Sequence, residues 1–187
     1  MVEDWITQAL PRTSSIDDAS FTAFLASLAD SNLQHFSEAL STHEEIPYWI
    51  KEAVTLEMAH QRALQHDETV ESPEWFKGAD ADTLGLLHIK LAPHTEHYPF
   101  THDVMTWYAL EELATTPREQ ECYAVVGKEV HPLSEAQYQL LDAICTSNML
   151  GDAFDKWVRD NPALSAEHAS EVGEWLRNWI NQGVLVR

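Results

Sequence analysis

Four histidines, His88, His94, His97 and His102, crowd one short stretch together with Glu96 and Asp103. Neutral imidazoles and carboxylates are the usual ligands of a divalent transition metal, but this spacing matches no fixed metal signature and reads as solvated loop histidines. Glu57 and His60 form a Glu-x-x-His pair, half of what a di-iron carboxylate site needs. The motif is not repeated, so a polar helix face is the simpler expectation. Cys122 and Cys145 stand outside any Cys-x-x-Cys spacing and without an adjacent histidine, so both are expected to stay reduced, one on a strand and one in a helix. The six glycines are scattered and make no phosphate-binding loop. No catalytic residue, metal ligand or cofactor is therefore assigned to this chain.

Composition narrows the partners. The 187 residues carry 31 acidic against 11 basic side chains, a net charge of −20. Such a surface repels phosphate backbones and anionic lipid, so nucleic acid and membrane are excluded as simple partners. The 44% apolar content, with 7 Trp, 5 Tyr and 6 Phe, supplies a folded core. No run is long and apolar enough to span a bilayer, and the first residues resemble no export signal, which makes the cytoplasm the expected compartment.

The elements that would position these residues are mostly helical. The first residues read as frayed up to Ser14 and Ser15, taken as caps for a helix with Phe21, Phe24, Leu25 and Leu28. A second helix from Asp30 carries Leu33, Phe36 and Leu40. A third begins after Pro47 and runs through Trp49, Ile50, Ala53, Leu56 and Leu64. Leu87–Leu91 alternates as a strand, a loop with Pro93 and Pro99 follows, and Thr101 and Asp103 cap a helix ended by Pro117. Glu121–Val126 and Glu129–His131 are the strands of a hairpin around Gly127 and Lys128, with positive φ expected at the glycine. Ser134 caps a helix whose stripe is Tyr138, Leu141, Ile144 and Cys145. A shorter helix follows Gly151, and Ser165 opens a long one that Gly183 stops before the strand Val184–Val186.

The fold class expected is α+β and mostly helical. A helical region over residues 1–84 precedes a strand and helix region over 85–187, whose core from about 118 has a winged-helix-like outline with a small antiparallel sheet. That outline first suggests DNA. From Arg118 onward, however, there are six basic residues against eleven acidic ones, a net −5, and the preceding part carries −15. Glu167, Glu171 and Glu174 on the last helix would meet phosphates. A hairpin edge beside a long helix can instead take an extended peptide as an extra strand.

Several segments together resemble one family. These are Ile89-Lys90-Leu91-Ala92-Pro93-His94, Tyr98-Pro99-Phe100 with Trp107, Cys122-Tyr123-Ala124-Val125-Val126-Gly127, Val172-Gly173-Glu174-Trp175-Leu176-Arg177-Asn178-Trp179 and Gly183-Val184-Leu185-Val186. With the helical front around Ile46-Pro47 and Leu56-Glu57, they resemble the partner proteins of multinuclear non-heme iron-dependent oxidases. By length the chain looks most like the MbnC-type group of methanobactin biosynthesis, related to the HvfC and TglI types. The resemblance implies a heterodimer with an MbnB-type iron oxidase. That enzyme holds the iron and converts precursor cysteines to oxazolone and thioamide groups of a copper-chelating product. It also implies a winged-helix-like domain here that recognises a ribosomally made precursor through a leader rich in Lys and Arg.

On that reading the leader pairs with the hairpin edge at Glu129, Val130 and His131. Val172, Trp175 and Trp179 line an adjoining groove, and Glu171 and Glu174 meet basic leader residues. Helical spacing puts Val172 and Trp179 in the core more often than in a ligand groove, and Trp175 is the better anchor candidate. Trp49, Trp75 and Phe76, with Trp5, are candidates for the enzyme interface. Three other readings stay open: a partner of another iron oxidase acting on a different cysteine-containing peptide, a winged-helix regulatory protein, and a stand-alone metalloenzyme built on the cluster from His88 to His102.

Overall fold

The structure is a computed structural model that describes residues 2–28, 33–66, 76, 81–109 and 116–187. It is a mixed α+β fold, mostly helical, with two small antiparallel sheets. The chain divides into two compact units, residues 1–62 with 100–122 and residues 63–99 with 123–187. Sequence patterning places a single boundary after residue 84. The observed division is discontinuous and falls within single helices and strands.

Unit 1 holds helices α1 (Val2–Ala9), α2 (Ala19–Ser27), α3 (Leu33–Thr42), α4 (Tyr48–Leu64, whose last turn belongs to unit 2) and, after α5 described below, α6 (Val104–Ala109). The expectation of a frayed start is overturned: α1 is helical, and Ile6 and the following Leu10 are buried. Ser14 and Ser15 do not cap α2. They sit in a 3-10 turn, where their hydroxyls donate back to the carbonyls of Pro11 and Arg12 at 2.9 and 2.6 Å. The cap is Asp18, whose Oδ1 accepts from the Phe21 amide at 2.9 Å. Phe21, Phe24 and Phe36 pack in sequence, with ring centroids 6.3 and 5.9 Å apart. Asp103 caps α6 as expected, through the Thr106 amide at 3.0 Å.

Unit 2 holds α5 (Ala81–Gly85), β1 (Lys90–Leu91), α7 (Glu135–Thr146), α8 (Leu150–Asp160), α9 (Pro162–His168), α10 (Val172–Asn181) and β5 (Leu185–Val186). β1 pairs antiparallel with β5, Lys90 opposite Val186 and Leu91 opposite Leu185. The second sheet has the order β2–β3–β4, from β2 (Glu96–His102), β3 (Glu119–Val126) and β4 (Val130–Leu133). β2 occupies what the prolines marked as loop. Pro99 is exposed within it.

α7 starts with a capping box: Ser134 Oγ accepts from the Gln137 amide at 3.2 Å, and Gln137 Oε1 accepts from the Ser134 amide at 2.8 Å. Its buried stripe is Ala136, Leu140, Leu141, Ala143 and Ile144. Tyr138 lies at the margin against Tyr123, and Cys145 is exposed, so both leave the stripe expected of them. Leu140 and Leu141 are fully buried with Trp157, Trp179 and Leu185 in one core, each leucine contributing about 1.5–3 kcal/mol by leaving water.

The long helix expected from Ser165 is two helices. Pro162 starts α9 at a position where its missing N–H is harmless, and the chain turns at Ala169–Glu171 before α10. The turn brings Trp175 onto Trp157 and His168, ring centroids 6.4 and 5.6 Å away. Gly183 stops α10 as expected. Its φ is 70°, its amide donates to Ile180 O at 3.1 Å and the Val184 amide to Trp179 O at 2.8 Å, the paired bonds of a Schellman cap.

Candidate peptide-binding groove

The Schellman cap aims the chain into β5, and β5 closes one wall of a groove of about 370 Å³. β1 lies beside it, and the Ala92 amide extends their ladder by donating to Val184 O at 2.9 Å. The other wall is the hairpin loop Gly127–Glu129 with His131, and the loop Pro93–Thr95 joins the two.

Gly127 fits this wall for a reason other than the expected one. Among the described glycines only Gly183 has positive φ, and the hairpin connection is three residues long, with Val126 opposite Val130. A side chain at Gly127 would stand 3.2 Å from Thr95 Oγ1, so close approach to the neighbouring loop is what the position demands.

Register decides what the edge of β4 offers. Among the described residues β4 ends its sheet, and its residues pair as Val125 with His131 and Ala124 with Pro132. Gly127 N donates to Glu129 O at 2.9 Å, and hydrogen-bonded pairs alternate along an antiparallel ladder. Val125 and His131 are therefore a bonded pair, while Val130 and Pro132 turn their backbone groups away from β3. The outward edge carries the Val130 N–H and the Val130 and Pro132 carbonyls. Pro132 removes the second outward donor.

The charge of the groove is opposite to that of the chain. Lys90, Lys128 and Arg187 line it with His66, His94 and His131, and Glu129 is the one acidic side chain among its lining residues. Glu129 Oε2 lies 3.5 Å from His131 Nε2. His94 stacks on His66 with centroids 3.2 Å apart, and it is the one described residue other than glycine with positive φ, 59°.

The structure thus gathers Glu129 and His131 at the groove, with Val130 on the strand between them. It does not bring the other expected contacts there. Trp175 and Trp179 are 8% and 3% exposed and belong to the core. Val172 lines a separate apolar groove of about 230 Å³ with Leu84, Leu140, Leu150, Phe154 and Leu176. Glu171 is exposed and accepts from or pairs with His168 Nδ1 at 3.1 Å, and Glu174 is exposed. Trp49 is half-buried edge-on to Trp107, centroids 6.1 Å apart, and Phe76 packs against the unit 2 core. Trp75 and the side chain of Trp5 lie outside the described residues.

The histidine cluster disperses. His88 is exposed, His94 stacks at the groove, and His97 Nε2 lies 3.6 Å from Asp142 with Nδ1 3.9 Å from Cys145 Sγ. His102 Nδ1 contacts Glu52 Oε2 at 2.9 Å. No group of three His, Cys, Asp or Glu suited to a metal occurs among the described residues. Cys145 is exposed as a residue, but its sulfur is partly desolvated, and this, reinforced by Asp142, pushes the thiol up to about 11; burial also raises the Cys122 thiol. Neither sulfur is a thiolate at neutral pH.

Two carboxylates escaped the sequence reading. Glu57 is fully buried, not on a polar face, and accepts the Arg12 and Thr13 amides at 2.8 and 2.6 Å. Glu52 is also buried and accepts the Thr101 and His102 amides at 2.6 and 3.1 Å. Both brace backbone in unit 1. No described helix is long and apolar enough to cross a membrane. No protein-family model and no curated protein matches the chain.

Proposed function

We propose that this chain is a non-catalytic partner subunit of a multinuclear non-heme iron-dependent oxidase, of the MbnC type. Its role in this reading is to hold a ribosomally made precursor peptide while an MbnB-type partner, which carries the iron, modifies the peptide's cysteines. The observation that carries the reading is the open edge of β4 beside a groove, the arrangement needed to accept an extended peptide as an added strand. The hairpin β3–β4 followed by α7–α10 and β5 supports a winged-helix-like recognition domain. The helices of the front part, as a bundle, would dock the enzyme.

The basic leader is assigned to the exposed acids Glu167, Glu171 and Glu174 rather than to the groove, whose lining is basic. The test is co-expression with an MbnB-type iron oxidase, followed by titration with that oxidase's precursor peptide. Co-elution of the two proteins and leader binding are expected. Val130→Pro removes the outward N–H without touching the bonded pair to β3, and should weaken binding of the whole precursor about tenfold while leaving the fold intact. A chain that neither co-elutes with the oxidase nor binds the leader refutes the proposal.

A further inference from the structure

The −20 charge makes most of this surface hostile to anions, and the groove at β4 is the exception. Its cations come from three distant segments: Lys90 on β1, Lys128 in the hairpin loop and Arg187 after β5. The chain as a whole has nearly three acidic side chains for each Lys or Arg, and the groove reverses that ratio to one acidic side chain for three basic ones. Neither Lys90 nor Arg187 has a carboxylate partner among the described residues. The left-handed backbone at His94 places a further imidazole on the same wall, against His66.

We propose that the groove takes acidic side chains of the peptide segment that pairs with β4. The inference rests on the strand-pairing reading given above and adds the chemistry of the segment that lies there. In an added strand alternate residues face the same side, so every second side chain would meet the groove and its lysines and arginine. A peptide with one or two such carboxylates gains this local field and leaves the rest of the acidic surface alone. A polyphosphate or nucleic acid would extend its charge over that surface and be repelled. The precursor is therefore segmented in this reading, acidic where it lies along β4 and basic where it meets Glu171 and Glu174.

The full chain is titrated with three short extended peptides that differ only in having Glu, Gln or Lys at alternate positions. The Glu peptide should bind about tenfold more tightly than the Gln peptide, a gap that narrows in high salt. Lys90→Gln with Arg187→Gln should close the gap without changing the Gln peptide's Kd, and circular dichroism checks that this exposed pair leaves the fold intact. Equal or tighter binding of the Gln or Lys peptide overturns the acidic preference while leaving strand pairing in place. If Val130→Pro leaves the Glu peptide's binding unchanged but the double substitution removes it, the acidic preference stands and strand pairing falls. Failure of all three peptides to bind overturns both.

Discussion

Glu57 and Thr13, 44 positions apart, are joined by a 2.6 Å bond from the Thr13 amide to a carboxylate with no solvent exposure. The second carboxylate oxygen takes the Arg12 amide, so one side chain of α4 satisfies two donors where the chain leaves α1 for the 3-10 turn. Glu57→Gln turns one acceptor into an amide donor facing a backbone N–H. A loss of about 3 kcal/mol is expected, seen as a fall in Tm of about 6–12 °C for a chain of this size. A melt within a degree or two of wild type would show that the carboxylate is not what holds the turn.

Tyr108 stands beside this brace. Its hydroxyl meets His60 Nδ1 at 2.7 Å, and the Arg12 guanidinium carbon lies 5.0 Å from its ring centroid. Burial, and then the Glu57 charge, push the phenol up to about 12 against the opposing pull of Arg12. In the unfolded chain the phenol ionises near 10, so the folded state holds this proton more tightly. The associated stability is complete below pH 10 and is lost as pH rises toward 12. Denaturant midpoints should fall over that window in the wild type and fall less in Tyr108→Phe.

The Cys145 thiol provides a separate check in unit 2. At about 11 it holds about a hundredfold less thiolate than a thiol of the ordinary value 9 at the same neutral pH. Alkylation by iodoacetamide should be correspondingly slow. Asp142→Asn removes the charge that adds to burial, so the apparent pKa should drop and the rate at fixed pH should rise. Mass spectrometry of the alkylated peptide separates this site from Cys122, and a rate indifferent to Asp142 would exclude the electrostatic share.

The α+β class, the Ser134 cap, the hairpin strands and the Gly183 stop were legible because each is written in neighbouring residues. What escaped was non-local. Glu52 and Glu57 read as polar helix positions, since only the folded chain brings the amides of residues 12–13 and 101–102 to them. β2 was hidden by its proline, because proline is tolerated where a strand's N–H is not needed. The break between α9 and α10 has only Gly173, just beyond the turn, as a local signal, and the packing of Trp175 on Trp157 that accompanies it is non-local. The groove's charge could not be read from a total of −20, because positions 90, 128 and 187 meet only through the β1–β5 ladder and the adjacent hairpin.

Gly151 tests how tightly α5 and α8 approach. A Cβ there would sit 3.0 Å from the Gly85 carbonyl oxygen, a backbone atom that cannot rotate aside. Alanine gains about 1 kcal/mol of helix propensity over glycine, but overpacking against backbone costs about 1–3 kcal/mol. Gly151→Ala should therefore lower stability by about 1 kcal/mol. A stabilised variant would mean that α5 yields freely.

Pro132 is the strongest constraint on how a peptide can use β4. By register its nitrogen faces the open edge, where any other residue would present an N–H. Such a proline protects an exposed strand against pairing with a second copy, so Val130 is left as the one outward donor of that stretch. Pro132→Val restores the donor without disturbing the bonded pairs at His131 and Leu133. One additional net hydrogen bond is worth about 1 kcal/mol, so a strand-forming peptide should bind about fivefold more tightly. The same edge should make the variant self-associate with concentration in sedimentation velocity. Unchanged affinity together with an unchanged sedimentation coefficient would mean that the edge of β4 is not the surface where a strand is added.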